Sequence, residues 1–195
     1  MKYKQEIIAL LIFFVISLIF VYPIFQNIKY LGIHDWDQHL MYTGAPRQSI
    51  LEFKQFPLWN PYYCGGNVML ANPQSGFLNP FFIFVLVFGE VVGLKLLIFI
   101  YLITGLFGMF LLARHLKISL ISSYLSAILF MLSGLYAMHL SVGHTVWMQI
   151  ALIPYVFLFY LKSLKDVRHL FLSALILAVI FFGGGIYPVF LIALF

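Results

Sequence analysis

Long apolar runs alternate along this chain with short polar segments, and their lengths predict helices that cross a membrane. The first run, 7–25, contains 19 residues. As a helix rising about 1.5 Å per residue it would be roughly 28 Å long, close to the thickness of a bilayer core. Further runs predict spans at about 94–113, 118–138, 145–161 and 170–195. The pattern predicts an all-α integral membrane protein with about five transmembrane helices.

Two apolar segments need a different interpretation. The first run follows a basic start, MKYKQE, as in a signal peptide, but it exceeds the usual signal length and no small-residue cleavage site follows it. We therefore interpret it as a retained span. The run PFFIFVLVF at 80–88 has only nine residues, too few to cross a bilayer. It predicts a re-entrant or interfacial helix.

Composition supports a membrane location. Of the 195 residues, 64% are hydrophobic and 9% charged, whereas about 25% are charged in soluble domains. The net charge of +5 comes from basic residues spread thinly between apolar runs, without the patch that binds nucleic acid. Membrane lipids are the expected surroundings, and nucleic acid is excluded as a partner. A single cysteine, Cys64, excludes an intrachain disulfide.

The basic residues also predict orientation. Seven of them fall at alternate span ends (Lys2, Lys4, Arg114, Lys117, Lys162, Lys165 and Arg168), and four fall on the other side (Lys29, Arg47, Lys54 and Lys95). The positive-inside rule then places the N-terminus in the cytoplasm of a multi-pass cell-membrane protein. The 26–79 segment, a long structured loop, and the short turn HLSVGH at 139–144 would both face outside.

The fifth predicted span is interrupted by GGGIYP at 183–188, where three glycines and Pro188 should break the helix. Broken helices persist at membrane depth when they are buried in protein or line a wet cavity. A substrate path and a simple kink both explain such a break. The chain stops within an apolar run, so we expect 1–195 to be a single membrane domain forming the N-terminal part of a longer protein.

Candidate catalytic residues lie in IHDWDQHL, just beyond the first span. If this segment is helical, His34, Asp37 and Gln38 share one face, while Asp35 and His39 pair at i, i+4. One carboxylate would then act as a base or metal ligand near a histidine. If the segment is extended, Asp35 and Asp37 point the same way and could clamp a divalent cation, Mg²⁺ or Mn²⁺. Solvated interfacial charges are the structural alternative.

The block FPLWNPYYCGGNVMLANPQSGFLNP combines aromatic and amide side chains with repeated Asn-Pro pairs. Proline restricts the preceding residue to extended or turn conformations, so the block should wind as short turns. Rings for stacking and amides for hydrogen bonds suit a sugar or a prenyl-phosphate headgroup. The candidate binding residues here are Trp59, Asn60, Tyr63, Asn67, Asn72 and Gln74. An interfacial aromatic belt would explain the aromatic residues alone.

Three further residues lie on the predicted outer side. His139 and His144 flank the short turn and could bind phosphate or metal near the aspartates. Arg47 could pair with a lipid phosphate, and anchoring to headgroups is its alternative role.

The order of these features resembles a known group. One span followed by a long outer loop that opens with an acidic motif, here HDWDQH, resembles the GT-C superfamily of polyprenyl-phosphate-sugar-dependent glycosyltransferases. The WNPYYCGGN…ANPQSG block, with GLKLLIFIYLITGLFGMFLLARHL, SGLYAMHLSVGH and GGGIYP, resembles the YfhO-type membrane proteins of that superfamily. Members of that group have more spans than the five predicted here.

The resemblance implies an inverting sugar transfer from a polyprenyl-phosphate carrier to an acceptor on the outer face. The acidic residue of the first outer loop would be base or metal ligand, which falls on Asp37 or Asp35. Asp37 is the preferred base, because a helix would set it beside His34 and Gln38. No organic cofactor is expected. The competing functions are a lipid or polysaccharide transporter or flippase component, and a non-catalytic membrane scaffold.

Overall fold

The computed structural model describes residues 2–32 and 34–194. These fold as an all-α protein, as predicted, with one short strand pair. The helices are α1 Lys2–Gln26, α2 Trp36–Leu51, α3 Ile83–Phe88, α4 Glu90–His115, α5 Leu120–Met131, α6 Gly134–Ser141, α7 Ile153–Ser163, α8 Arg168–Phe182 and α9 Ile186–Ala193, with 3-10 segments at Pro80–Phe82 and Thr145–Leu152. Strands β1 (Trp59–Asn60) and β2 (Asn67–Val68) pair in an antiparallel hairpin.

Four helical stretches in the described part of the chain are long and apolar enough to cross a membrane: Tyr3–Gln26, Glu90–His115, Leu120–Ser141 and Thr145–Ser163. They match the first four predicted spans. The third combines α5 and α6, and the fourth combines the 3-10 segment with α7. The length and composition of these helices favour a membrane-embedded protein.

The fifth predicted span consists of two shorter helices, separated at the predicted break. Helix α8 has 15 residues and ends at Phe182, and α9 starts a new, eight-residue helix at Ile186. The stop is a Schellman motif: Gly184 has φ +81°, its N–H donates to the Phe181 carbonyl, and the Gly185 N–H donates to the Ile180 carbonyl. The predicted break at the three glycines is confirmed.

The 80–88 segment is short, as predicted. Asn79 caps the 3-10 turn Pro80–Phe82, which continues into the six residues of α3. Gly89, with φ +82°, then reverses the chain so that α3 packs against α4. A Cβ at Gly93 would lie 2.6 Å from the Val85 Cα, so the two backbones touch there. Whether α3 lies within the membrane or at its surface stays a prediction.

Helix α4 is the centre of the bundle, in contact with α1, α3, α5 and α7. Two glycines allow close packing there. A Cβ at Gly105 would lie 2.3 Å from the Met131 sulfur, and a Cβ at Gly108 would lie 2.4 Å from the Tyr155 ring. That ring is held in place because the Tyr155 hydroxyl donates to the Thr104 carbonyl at 3.0 Å.

Charged residues at the helix ends meet in two groups, in agreement with the predicted alternation. At one end, Glu6, Arg114 and Lys162 line one cavity. At the other, the buried Lys95 ammonium donates to the Asn27 carbonyl, just past the end of α1. The amine there meets the negative end of the helix dipole. Which end is cytoplasmic stays a prediction.

Replacing Gly108 with Ala should lower stability, because the new methyl group meets a ring that is fixed by a hydrogen bond. Overpacking of this kind costs about 1–3 kcal/mol. Gly134→Ala is the matched control, since nothing lies within 4 Å of a Cβ at that position. Thermal unfolding in detergent, followed by circular dichroism, should show a lower midpoint for Gly108→Ala alone. Equal midpoints in the two variants would contradict this account of the α4–α7 contact.

Candidate functional site

The Asn-Pro pairs of the outer segment form a repeated local structure. In each pair the asparagine side-chain oxygen accepts the amide N–H two residues later, at 2.9 Å: Asn60 from Tyr62, Asn72 from Gln74, and Asn79 from Phe81. The intervening proline keeps the asparagine out of the α region and so favours this Asx turn. The predicted short turns are confirmed, and the Asn-Pro pattern has a structural cause.

The β1–β2 hairpin holds most of the other predicted binding residues. Trp59 packs directly on Gly66, where a Cβ would lie 2.4 Å from the indole ring, yet the indole remains half-exposed. Asn60 and Asn67 are opposite each other in the hairpin. In the described residues, the buried Asn60 amide nitrogen and Asn67 amide oxygen have no hydrogen-bond partner. The Tyr63 ring meets Tyr42 of α2 edge-on, with centroids 5.7 Å apart.

The acidic motif adopts the helical alternative. Helix α2 begins at Trp36 with Asp35 as its N-cap residue. The extended arrangement, with both carboxylates on one side, is therefore wrong. The expected face shared by His34, Asp37 and Gln38 is also not formed, because His34 precedes the helix with φ +64°.

The remaining groups of that motif are not gathered into a site. Gln38 donates to the Tyr42 hydroxyl at 2.7 Å. Asp37 is exposed in the first turn, where the helix dipole favours a negative charge. Among the described residues, no hydrogen bond or ion pair involves the Asp37 carboxylate.

Asp35 meets the second predicted outer turn. Its Oδ2 lies 3.0 Å from Nε2 of His144, and Nδ1 of His144 lies 2.9 Å from Nδ1 of His139. A backbone hydrogen bond holds the two segments together: the Asp35 N–H donates to the Val142 carbonyl at 3.0 Å. Any Cβ at Gly143 would lie 2.5 Å from the Trp36 nitrogen, so only glycine fits there. The expected proximity of the aspartate and the turn histidines is confirmed.

The protons of this Asp35–His144–His139 chain follow from its geometry. The carboxylate accepts from Nε2–H of His144. If His144 is neutral, its Nδ1 accepts from Nδ1–H of His139; if His144 is protonated, the direction of that second bond reverses. Both nitrogens of His144 are thus occupied. The atoms that remain for an external molecule are the second carboxylate oxygen of Asp35 and Nε2 of His139.

An aromatic stack continues this chain from His139 to Tyr187, which is exposed. The His139 ring lies parallel to Trp147 with centroids 4.0 Å apart, and Trp147 lies parallel to Tyr187 at 5.6 Å. Trp147 and Tyr187 were not predicted as site residues, since both occur in apolar runs that predict spans. No local signal distinguishes them from ordinary core aromatics.

A cleft with mixed polar and apolar lining begins at Thr145, the residue after His144, although Asp35, His139 and His144 are not among its lining residues. Its empty space is about 500 Å³, part of it open to solvent, and its polar lining includes His39, Gln74, Thr145 and Gln149. His39 Nδ1 lies 2.9 Å from the Thr145 hydroxyl. Gln74 is the one residue of the predicted binding set among the described lining residues.

The floor of the cleft is a buried hydrogen-bonded group. The Tyr101 hydroxyl accepts from the Asn79 amide at 3.1 Å and from the Gln149 amide at 3.0 Å. Gly183, in the break between α8 and α9, packs on both amides: a Cβ there would lie 2.4 Å from Gln149 and 2.5 Å from Asn79. The break between α8 and α9 is therefore packed against protein, and Gly183 also lines the cleft.

Arg47 is engaged within the fold. Its Nε donates to the Val85 carbonyl at 3.0 Å, and its guanidinium lies 3.5 Å from the Glu90 carboxylate. Both contacts connect α2 to the α3–α4 hairpin. A role for Arg47 in binding a lipid phosphate stays a prediction.

The structure offers few protein ligands for the predicted divalent cation. Within residues 2–32 and 34–194, no group of three or more His, Cys, Asp or Glu side chains is arranged to hold a metal ion. The only carboxylate in the Asp35–His144–His139 chain is already bonded to a histidine. A Mg²⁺ or Mn²⁺ ion at Asp35 and Asp37 stays a prediction, because such an ion needs only one or two protein carboxylates when substrate phosphates and waters supply its other oxygen ligands.

His39 should make stability dependent on pH. Burial lowers its pKa from 6.5 to about 4, and this outweighs the opposing effect of the Asp35 carboxylate. Between these values the unfolded chain binds a proton that the folded chain does not. The free energy of unfolding should therefore fall as pH drops from about 6.5 to 4, by about 3 kcal/mol in total.

Denaturant unfolding at several pH values would measure this effect. The His39→Gln variant should lose most of the decrease, while His34→Asn, which changes an exposed histidine, should keep it. An unchanged pH dependence in His39→Gln would contradict the assignment to His39.

Comparison of the chain with protein-family models, curated proteins and solved structures finds no match. The geometry of the Asp35–His144–His139 chain and the cleft, together with the sequence resemblance, is therefore the basis for a functional conclusion.

Proposed function

We propose that the protein is a membrane glycosyltransferase of the GT-C type, similar to YfhO-type proteins, acting at the outer face of the cell membrane. It would transfer a sugar from a polyprenyl-phosphate carrier to an acceptor hydroxyl, with the N-terminus in the cytoplasm and the 26–79 segment outside. The observation that carries this proposal is the Asp35 carboxylate, which is oriented by His144; the cleft that begins at Thr145, the next residue, would hold the sugar.

Asp35 has the properties that a general base needs. One oxygen is fixed by His144, and the side chain is 51% exposed, so the other oxygen can reach a substrate. The carboxylate would take the proton of the acceptor hydroxyl as that oxygen attacks the anomeric carbon. The bond from that carbon to the phosphate breaks, polyprenyl phosphate leaves, and the configuration inverts. His144 acts as a positioning residue, because its two nitrogens are both bonded within the protein.

This assignment differs from the preference for Asp37 drawn from the sequence. That preference depended on a shared face with His34, which is outside α2. Asp37 also has no oriented partner in the described residues, whereas catalytic bases are held within hydrogen-bonding reach of their proton. Asp35 is therefore the first candidate, and Asp37 is the second.

The surrounding polar groups suit a sugar. His39, Gln74 and Thr145 line the cleft and offer both donors and acceptors to sugar hydroxyls. In the hairpin, the exposed Trp59 indole could stack on a sugar ring, whereas the unpaired amide atoms of Asn60 and Asn67 are buried and out of reach of a ligand. The oxygen of Asn72 is already used in its turn, so its expected binding role would fall to its amide N–H₂.

A transporter or flippase component is the second candidate function. The observation that favours it is Gly183, which places the α8–α9 break on the lining of the cleft. Broken helices that line a cavity are common at transporter substrate sites. In that case the cleft would bind the carrier lipid headgroup without chemistry at Asp35. The same purified protein can test both functions.

Asp35→Asn should abolish transfer while leaving the fold intact, because the amide preserves size but cannot accept the proton. Loss of a general base costs about 10²- to 10⁴-fold in rate. The assay uses the reconstituted protein with a radiolabelled polyprenyl-phosphate hexose and measures released polyprenyl phosphate. Asp37→Asn is the matched control, since it removes a neighbouring exposed carboxylate, and it should retain activity.

If Asp37→Asn loses all transfer activity and Asp35→Asn retains it, Asp37 is the base, as the sequence predicted. If both variants transfer at the wild-type rate, the catalytic assignment is wrong. The transporter would be favoured if wild type and both variants move a fluorescent polyprenyl-phosphate sugar across the vesicle membrane and none of them transfers the sugar to an acceptor.

A further inference from the structure

A second site lies at the opposite end of the bundle from the cleft. Two adjoining cavities there share Glu6 and Arg114 in their lining. They are formed between α1, α4 and α7, and their other polar or charged lining residues are Gln5, His115 and Lys162. The apolar part of the wall comes from Phe110, Leu111 and Leu158. We call this the basic cleft.

The basic cleft carries more positive than negative charge among its described lining residues. The ion pairs in the described part of the chain involve neither Arg114 nor Lys162. One guanidinium nitrogen of Arg114 donates to the Ile118 carbonyl at 2.6 Å, and the Lys162 ammonium lies 5.2 Å from the centre of the Phe159 ring. Neither contact supplies a negative charge.

Burial distinguishes these residues from the other basic residues at this end. Glu6, Arg114 and Lys162 are half-buried, whereas Lys4, Lys117 and Lys165 are exposed. A partly desolvated cation gains more from a bound anion than a fully solvated one, because its charge is less screened. The pattern therefore favours an anion that enters between the helices.

We propose that the basic cleft binds a phosphodiester, the headgroup of a membrane phospholipid, with the phosphate between Arg114 and Lys162. Guanidinium forms paired hydrogen bonds with phosphate oxygens, and lysine adds a second positive charge. Basic pockets between transmembrane helices are known sites for lipid headgroups. The apolar wall would contact the start of the acyl chains.

The Glu6 carboxylate determines which phosphate fits. Arg114 and Lys162 carry two positive charges, and Glu6 carries one negative charge. The remaining positive charge is balanced by a phosphodiester, which has a single negative charge. A phosphomonoester, with nearly two negative charges, would be repelled by Glu6. Water-soluble phosphodiesters carry the same phosphate group. The experiment therefore compares a phospholipid with its water-soluble headgroup.

Native mass spectrometry of the protein in maltoside detergent can test this. The probes are dioctanoyl phosphatidylglycerol and its deacylated headgroup, glycerophosphoglycerol. Lys162→Gln should weaken phosphatidylglycerol binding about tenfold, the effect of one charge-assisted hydrogen bond. Lys165→Gln, an exposed lysine nearby, is the matched control and should bind like wild type. Tight binding of the lipid with weak binding of the free headgroup identifies a membrane lipid as the ligand.

A second variant distinguishes a lost binding site from a misfolded protein. Glu6→Gln removes the carboxylate and should strengthen phosphatidylglycerol binding, which an unfolded protein cannot do. Equal effects of Lys162→Gln and Lys165→Gln would overturn the site, as would no change in Glu6→Gln. Equal affinity for the lipid and its free headgroup would overturn the lipid as ligand. Neither result depends on the proposed transferase activity.

Discussion

A buried hydrogen-bonded group fastens the outer segment to the helical bundle. Asn79, at the end of that segment, bonds to Tyr101 of the central helix and to the Val179 carbonyl of α8, and Tyr101 in turn bonds to Gln149. In apolar surroundings an unpaired amide or hydroxyl is costly, so each member constrains the others. The outer segment, α4, the 3-10 segment and α8 are thereby held in one arrangement. The cleft above this group, the α8–α9 break and the Asp35–His144–His139 chain depend on it.

The Asn-Pro pairs illustrate how one residue type serves two needs. Each asparagine oxygen closes a turn, and at Asn79 the amide nitrogen is also used for the connection to the bundle. Local folding therefore accounts for the repeated pattern before any ligand is considered. What remains for binding is a smaller set of atoms, chiefly in the hairpin and on Gln74. A functional interpretation of such a motif should be based on the atoms that the turns leave unused.

The two ends of the bundle have different electrostatic character. The cleft end holds carboxylates, histidines and amides, largely bonded to one another. The opposite end holds Arg114 and Lys162, which form no ion pair among the described residues. This asymmetry agrees with the positive-inside pattern read from the sequence. It also gives each end a different proposed partner, an acceptor and sugar carrier at one and a phospholipid headgroup at the other.

The sequence by itself determined the features that depend on neighbours along the chain. Apolar run length predicted four long helices, the glycines predicted the α8 stop, and the prolines predicted the turns. These features rest on hydrogen bonds and backbone preferences within a few residues.

Only the tertiary structure decided which groups meet. Asp35 bonds to His144 across 109 residues, and Asp37, two positions away, does not. The start of α2 is fixed by a backbone contact with the turn after α6, which separates His34 from the helix. The glycine stop in the fifth predicted span follows from the sequence, but its contact with the distant amides of Gln149 and Asn79 does not. Contacts between distant segments are selected by packing and by the need to satisfy buried polar groups, and no local pattern encodes that choice.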